Sequence, residues 1–169
     1  MEAVKALRRA ALLLALPLVL GAAAPAPGAL ERQVDATLRQ AYGPYLKENG
    51  GASDWQRPVF TPATRQLIRA WMRHNGEELT GLNSFGWFCE CQDWDWRAFG
   101  WKRTAIRQLA PGRIEVRVRV IVVSGSSLEQ RLVLVRQGSR WLIDDLFAGD
   151  IPKGIKAAMR AELAVKPGE

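Results

Sequence analysis

The chain has 169 residues and a hydrophobic content of 48%, which is enough for one folded unit with its own core. Its formal net charge of +7 raises the question of a polyanionic partner. The basic residues are scattered over several segments, however, and the sequence has no motif of a known nucleic-acid module, so we predict no binding of nucleic acid.

The N-terminal segment has the organisation of a secretory signal peptide. Basic residues precede an apolar run from Ala10 to Leu20, and small residues follow this run. The run is shorter than the roughly 18 residues that a membrane-spanning helix needs. We predict a signal peptide over residues 1–24, a linker over 25–29 and one α+β domain over 30–165. The protein would then be exported to the periplasm and would meet a membrane only through its export signal.

The first half of the domain predicts two helices. Apolar residues recur at helical spacing over residues 30–47, although Gly43 and Pro44 disturb the last turn. The pair Thr61-Pro62 is typical of a helix start, because threonine caps the helix and proline is tolerated at its first position. The apolar face of this second helix is predicted to consist of Leu67, Ile68, Trp71 and Met72.

The second helix is predicted to end at Asn75-Gly76. His74, the only histidine, falls in its last turn, where the helix dipole favours a cation. A capping role is therefore the simplest interpretation of His74.

An irregular connection follows from Glu77 to Gly100, where hydrophobic periodicity is lost. The stretch from Gly86 to Trp101 holds four of the seven tryptophans, both cysteines and three acidic residues, namely Glu90, Asp93 and Asp95. Long irregular connections inside a compact domain are more often functional or disordered than incidental, and the tryptophans argue against disorder. We therefore expect any functional site to lie near this stretch.

The second half of the chain alternates between apolar and polar residues, which predicts strands. Short turns separate them, so the strands should form an antiparallel meander. A short helix beginning near Ile155 closes the domain. The fold class is therefore α+β, with helices packed on one face of a curved antiparallel sheet of about four strands. The predicted strands cover residues 101–109, 114–122, 128–136 and 140–147.

Four segments of the chain resemble a known family. They are residues 41–46, 60–64, 91–95 and 132–146, and their most specific points are Gln92-Asp93 and the Trp-x-Ile-Asp-Asp pattern that begins at Trp141. These segments resemble the domain-of-unknown-function 3828 family of exported bacterial proteins, which is grouped with the nuclear transport factor 2-like cone fold. The resemblance covers residues 30 to 165.

The resemblance implies a fold and a compartment, and it implies no reaction. It implies a cone-shaped domain with a pocket between the helices and the concave sheet. It also implies a possible homodimer through the exposed sheet face, where the outward residues Ile121 and Val123 would suit such an interface.

The two cysteines, Cys89 and Cys91, favour a disulfide in an oxidising compartment. An extended strand would hold their α-carbons about 6.5–7 Å apart, at the edge of disulfide reach, whereas a turn would bring them closer. A labile redox pair and two reduced, buried thiols are the alternatives. With His74 as the lone histidine, the cysteines do not complete a four-ligand zinc site, and we predict no metal and no cofactor.

Three carboxylates are candidates for acid–base chemistry. Asp93 and Asp95 would share one face of a strand, and paired carboxylates can divide acid and base roles. Asp145, near the end of the last strand, is predicted to face inward beside Ile143. For each residue the alternative is structural: hydrogen bonds within a loop for Asp93 and Asp95, and capping or an ion pair for Asp145.

The sequence supports one leading functional hypothesis and two alternatives. The leading hypothesis is a non-enzymatic exported module that binds an unidentified small molecule or protein partner at a pocket rim. The first alternative is a small hydrolase or isomerase that uses the three candidate carboxylates. The second is an immunity-type protein that neutralises a secreted toxin. The predicted rim residues are Gln92, Asp93, Trp94, Trp96 and Trp101.

Overall fold

The structure is a computed structural model that describes residues 28–50 and 53–165. The predicted signal peptide and most of the predicted linker lie outside the described residues. Within the described part, no helix combines the length and the apolar character that crossing a bilayer requires.

Three α-helices are present among the described residues. The first helix gives way to a 3-10 turn over Gly43–Leu46, because Pro44 cannot donate the next helical hydrogen bond. The second begins as predicted, since the Thr61 hydroxyl accepts a hydrogen bond from the amide of Thr64. Met72 was predicted on the buried face of this helix, but it is exposed. The helices are α1 (Ala29–Tyr42), α2 (Pro62–Asn75) and α3 (Ile155–Leu163).

Four strands form one antiparallel sheet in the order β1-β2-β3-β4. The predicted α+β class and the four-stranded antiparallel sheet are confirmed. Buried residues of β2 alternate as the sequence predicts, with Val116, Val118 and Val120 all facing the core. The strands are β1 (Gly100–Ala110), β2 (Arg113–Val123), β3 (Ser126–Gln137) and β4 (Arg140–Phe147).

A bulge in β4 changes which side chains face the core. Val133 pairs with Asp145 and Leu134 pairs with Ile143, so Asp144 is an extra residue between two ladder positions. The extra residue reverses the alternation, and Ile143 and Leu146 are both fully buried. The prediction that Asp145 faces inward beside Ile143 is therefore wrong: Asp145 lies on the opposite face of the sheet.

The connection between α2 and β1 supplies the centre of the core. Trp87 and Phe88 are fully buried, and their rings pack against Phe60, at 6.0 Å in each case. Trp87 also contacts Trp71 of α2, and Phe88 contacts Tyr42 of α1. These rings occupy the space between helices and sheet in which the family resemblance implies a pocket.

A short extended segment, Val59–Thr61, lies along the free edge of β4. The amide of Thr61 donates to the carbonyl of Ile143 at 2.9 Å, and the amide of Ile143 donates to the carbonyl of Val59 at 2.8 Å. Phe60 forms a parallel bridge with Ile143. The segment thus covers the β4 edge and places the residues before α2 next to the sheet.

Candidate functional site

The two cysteines lie in a tight turn within the α2–β1 connection. Their Sγ atoms are at bonding distance and their α-carbons are 5.1 Å apart, which is within disulfide reach. The amide of Gly86 donates to the carbonyl of Cys91 at 2.8 Å and closes the turn. Glu90, between the cysteines, has a φ of 49°, in the left-handed region. We call residues 86–91 the cysteine turn; the oxidised state of the pair stays a prediction.

A cavity of about 290 Å³ opens beside the cysteine turn, and we call it the rim cavity. Its walls come from segments that are far apart in the sequence, and aromatic rings contribute much of the surface. The side chains that define it are Tyr45, Trp55, Arg57, Phe85, Gln92 and Trp94.

The floor of the rim cavity is a buried hydrogen-bonded network. Asp54 Oδ2 accepts hydrogen bonds from the Tyr45 hydroxyl at 2.7 Å and from the amide of Phe88 at 2.9 Å. Asp54 Oδ1 pairs with Arg57 Nη2 at 2.6 Å, and Arg57 also donates to the carbonyl of Ala41. The Arg57 guanidinium lies 4.7 Å from the centroid of the Tyr45 ring. Both carboxylate oxygens of Asp54 are therefore engaged.

The electrostatics of this floor follow from burial. Desolvation raises the pKa of the Asp54 carboxyl, and the positive charge of Arg57 opposes that rise. Desolvation also raises the pKa of Tyr45, with the Asp54 charge acting in the same direction. Tyr45 therefore stays protonated, and its hydroxyl donates a hydrogen bond to Asp54. The floor holds the surrounding segments in place and offers no free acid or base to a ligand.

Trp94 forms one wall of the cavity and is fixed from two sides. Its indole N–H donates to the carbonyl of Tyr45 at 3.0 Å, and the two rings meet edge to face with centroids 5.2 Å apart. On the other side, a Cβ at Gly50 would lie 2.6 Å from the Trp94 ring. Glycine at position 50 is therefore required for this close approach.

The structure brings only part of the predicted rim together. Gln92 and Trp94 line the rim cavity. Trp96 lies under the Arg97 guanidinium at 4.2 Å, and Trp101 stacks on Tyr42 at the start of β1 with centroids 5.7 Å apart. These two tryptophans belong to neighbouring parts of the connection and the sheet and do not line the cavity.

Asp93 and Asp95 do not share the face of a strand, because their segment is irregular. That prediction is wrong, because the backbone bends at residues 92 and 93 and turns again at residues 96–98. Asp95 Oδ1 accepts a hydrogen bond from the amide of Arg97 at 3.0 Å, while its carbonyl accepts one from Phe99 at 2.7 Å. Both aspartates are exposed, and the hydrogen bonds of Asp95 stabilise its own loop.

Asp145, a residue of β4, caps the start of α3 with its side chain. Its Oδ1 accepts hydrogen bonds from the amides of Leu146 at 3.0 Å and Lys156 at 3.2 Å. Lys156 lies in the first turn of α3, whose preceding residue, Gly154, has no side chain to act as a cap. Burial raises the pKa of Asp145, with the two amide hydrogen bonds opposing that rise. The structural interpretation of Asp145 therefore fits its contacts.

A second cavity, of about 560 Å³, lies on the other side of the cysteine turn, against α3. Cys91 and Gln92 line both cavities. Glu90 Oε1 accepts a hydrogen bond from the amide of Asp150 at 2.9 Å, and burial raises the Glu90 pKa. Glu162 is engaged by Trp71 Nε1 at 2.5 Å and by two further donors. The carboxylates here thus tie the connection to the C-terminal segment.

His74 lies away from both cavities. Its Nε2 is 2.8 Å from the carbonyl of Val165, so it joins the end of α2 to the end of α3. Over residues 28–50 and 53–165, no group of three or more His, Cys, Asp or Glu side chains is arranged to hold a metal ion.

Sequence reasoning missed the residues at the cavity floor, Tyr45, Asp54 and Arg57. The neighbouring stretch 49–53 has the composition of an exposed turn, and this obscured the charged pair that follows. The available signal was the spacing of Asp54 and Arg57, three residues apart in a short helical turn and beside Trp55.

Compared with protein-family models, with curated proteins and with solved structures, the chain has no match in any of the three. The family resemblance therefore stays a prediction that rests on the four segments named above.

Proposed function

We propose that this protein is an exported binding module that holds a small ligand in the rim cavity. The observation that carries the proposal is the convergence of Trp55, Phe85 and Trp94 with the exposed amide of Gln92 around one concave site. Ligand sites in proteins combine apolar and aromatic walls with a few placed polar groups in this way. All three rings are only partly buried, so a ligand would cover surface that the fold itself leaves open.

The floor supports the proposal because contacts within the protein hold its side chains in place. Asp54 fixes the hydroxyl of Tyr45, the amide of Phe88 and the guanidinium of Arg57 through the short contacts described above. A site that is already ordered loses less conformational entropy on binding. The network therefore favours a ligand that fits the existing walls.

Charge also limits the ligand. The two ionised side chains that line the cavity, Asp54 and Arg57, neutralise each other, and the other lining side chains are uncharged. We infer a small uncharged ligand with an apolar surface for the rings and a hydrogen-bonding edge for Gln92.

Binding accounts for these contacts better than acid–base catalysis does. Asp145 is occupied with the start of α3, Asp95 with its own loop, and both oxygens of Asp54 with internal donors. General acid–base catalysis needs a group within reach of the substrate proton that can gain or lose its own proton. The carboxylate and the phenol that line the rim cavity, Asp54 and Tyr45, are hydrogen-bonded to each other, and Asp93 is not among the lining residues.

The experiment is native mass spectrometry on the purified protein after incubation with the small-molecule fraction of a periplasmic extract. We expect a discrete adduct with the unchanged protein. Gln92→Trp, which fills the cavity mouth from an exposed position, should reduce the adduct about tenfold. Gln66→Trp, on the exposed face of α2, is the matched control and should leave it unchanged. Absence of any adduct, or equal loss in both variants, would contradict the proposal.

A further inference from the structure

An acidic residue is buried on the face of the sheet opposite to the core. Glu115 of β2 alternates with the core residues Ile114 and Val116, so the sequence pattern predicts that it is exposed. It is only 5% exposed because arginine side chains cover it. The hydrogen bond from Arg107 lowers the Glu115 pKa, and the charges of Arg131 and Arg117 add to this effect.

Three guanidinium groups converge on this one carboxylate. Arg107 Nη2 lies 3.0 Å and Arg131 Nη1 3.4 Å from Glu115 Oε2, and Arg117 Nε lies 3.9 Å from Oε1. We call these four residues the arginine cluster. One arginine is enough to neutralise one glutamate, so the cluster carries more positive charge than the burial of Glu115 requires.

The arginines of the cluster also have N–H donors that Glu115 does not use. A guanidinium has five N–H donors, and the bonds to Glu115 use two of Arg107 and one of Arg131. The three side chains remain 64% (Arg107), 54% (Arg117) and 37% (Arg131) exposed. The unused donors therefore stand at the protein surface.

Two of the three arginines lie beside a depression of about 310 Å³. Arg117, Arg131 and Phe147 all line it. The Arg131 guanidinium lies 3.5 Å from the centroid of the Phe147 ring while it also contacts Glu115, so its orientation is fixed from two directions. Glu129 lines the depression too, and its ion pair with Arg117 at 3.5 Å is half-exposed and weak.

We propose that the arginine cluster is a binding site for a tetrahedral oxyanion, the phosphate or sulfate group of an ester. Planar guanidinium forks match such oxygens with paired hydrogen bonds, and Arg117 and Arg131 lie opposite each other on β2 and β3. The bound group would displace Glu129 from Arg117 and leave Glu115 as the internal spacer that keeps the three guanidinium groups apart. This site is separate from the rim cavity and does not depend on the proposed function.

The test is an NMR titration of the protein with inorganic phosphate, at ionic strength held constant with sodium chloride. We expect saturable shifts of the Nε–Hε signals of the three arginines. Arg117→Gln/Arg131→Gln should weaken phosphate binding about tenfold. Arg65→Gln/Arg69→Gln removes the same charge from exposed positions on α2 and should change nothing. No saturable shift, or equal weakening in both double variants, would overturn the proposal.

Two further arms identify what carries the oxyanion. A heparin fragment presents sulfate esters on a polysaccharide, and vesicles of phosphatidylglycerol present phosphate esters at a lipid surface. Binding of one of these that is lost in the cluster variant but kept in the α2 control supports the proposal and names the source. Binding of neither, with phosphate binding that is lost in the cluster variant, supports the proposal and indicates a soluble ester as the source.

A conservative variant separates geometry from charge. Arg117→Lys/Arg131→Lys keeps both charges and the cover over Glu115 but loses the planar forks. We expect about tenfold weaker phosphate binding with an unchanged thermal midpoint. Unchanged phosphate binding would show that the forks play no part and would contradict the proposed geometry.

Discussion

The backbone amide of Asp150 donates a hydrogen bond of 2.9 Å to the carboxylate of Glu90. This contact joins the cysteine turn to the loop between β4 and α3, two segments that are 60 residues apart in the chain. The backbone of Glu90, with a φ of 49°, lies in the turn that the hydrogen bond between Gly86 and Cys91 closes.

Substitution of Glu90 should separate the hydrogen bond from the charge. Glu90→Ala removes the acceptor and should lower the free energy of unfolding by about 1–2 kcal/mol. Glu90→Gln keeps an acceptor oxygen and should cost less than about 0.5 kcal/mol. Urea denaturation at neutral pH measures both. An equal cost for the two variants would show that the charge is what matters.

The redox state of the cysteine turn can be measured directly. We expect the intact mass of the protein, purified after secretion into an oxidising compartment, to show no alkylation until a reductant is added. Two free thiols would contradict the disulfide. Cys89→Ala/Cys91→Ala should lower the free energy of unfolding by only about 1–2 kcal/mol, because the ring spans one intervening residue and restricts the unfolded chain little.

The buried pair under the rim cavity should be strongly coupled. Asp54→Asn leaves the Arg57 charge uncompensated, and Arg57→Met does the same to Asp54, so each should cost about 3–5 kcal/mol. The double variant should cost less than the sum of the two single variants by at least about 1 kcal/mol. Additive costs in chemical denaturation would contradict the coupling.

Acid should weaken the contact between the sheet and α3. Burial alone would raise the pKa of Asp144, but the hydrogen bond and charge of Lys156, with the charge of Arg113, hold it below its usual value of 3.8. A depressed folded-state pKa stabilises the protein above the unfolded value, and this stabilisation is lost as the pH falls through the folded value.

The variant Asp144→Asn tests this pH dependence. It should cost about 1–3 kcal/mol at neutral pH, and the difference from the unchanged protein should shrink as the pH falls below 3.8. Denaturant unfolding at both pH values gives the comparison. A difference that is equal at the two values would exclude an ionic contribution of Asp144.

Gly86 should not tolerate a larger residue, because neighbouring atoms leave no room for a Cβ. A Cβ at this position would overlap the Tyr45 hydroxyl and lie 2.8 Å from Cys89 Sγ, and both groups are fixed by their own contacts. Gly86→Ala should therefore cost about 1–3 kcal/mol. At Gly43 nothing lies within 4 Å, so Gly43→Ala should be neutral or stabilise the protein by about 0.4–1 kcal/mol. Thermal unfolding of the two variants checks the pair.

The secondary structure could be predicted because its signals are local. Thr61-Pro62 marks the start of α2, and the alternation along β2 marks both the strand and its core face. Each of these signals is complete within a few residues of the sequence. They therefore identify a helix or a strand without knowledge of what packs against it.

The candidate sites could not be predicted in the same way, because contacts between distant segments create them. The bulge at Asp144 depends on the register with β3, and it turns Asp145 away from the core. The burial of Asp54 depends on Tyr45 and Phe88, and that of Glu115 on arginines from three strands. No periodicity in the sequence reports such arrangements.

The two edges of the sheet differ in what pairs with them. The Val59–Thr61 segment covers β4, whereas no strand in the described part of the chain pairs with the outer edge of β1. That open strand carries Lys102, Arg103 and Arg107 and no acidic residue. Arg103 and Arg107 of this strand are paired with Asp35 and Glu115, and charged side chains on an open edge strand disfavour the addition of another strand. The charged side chains of β1 are therefore of the kind that blunts an open edge in natural sheets.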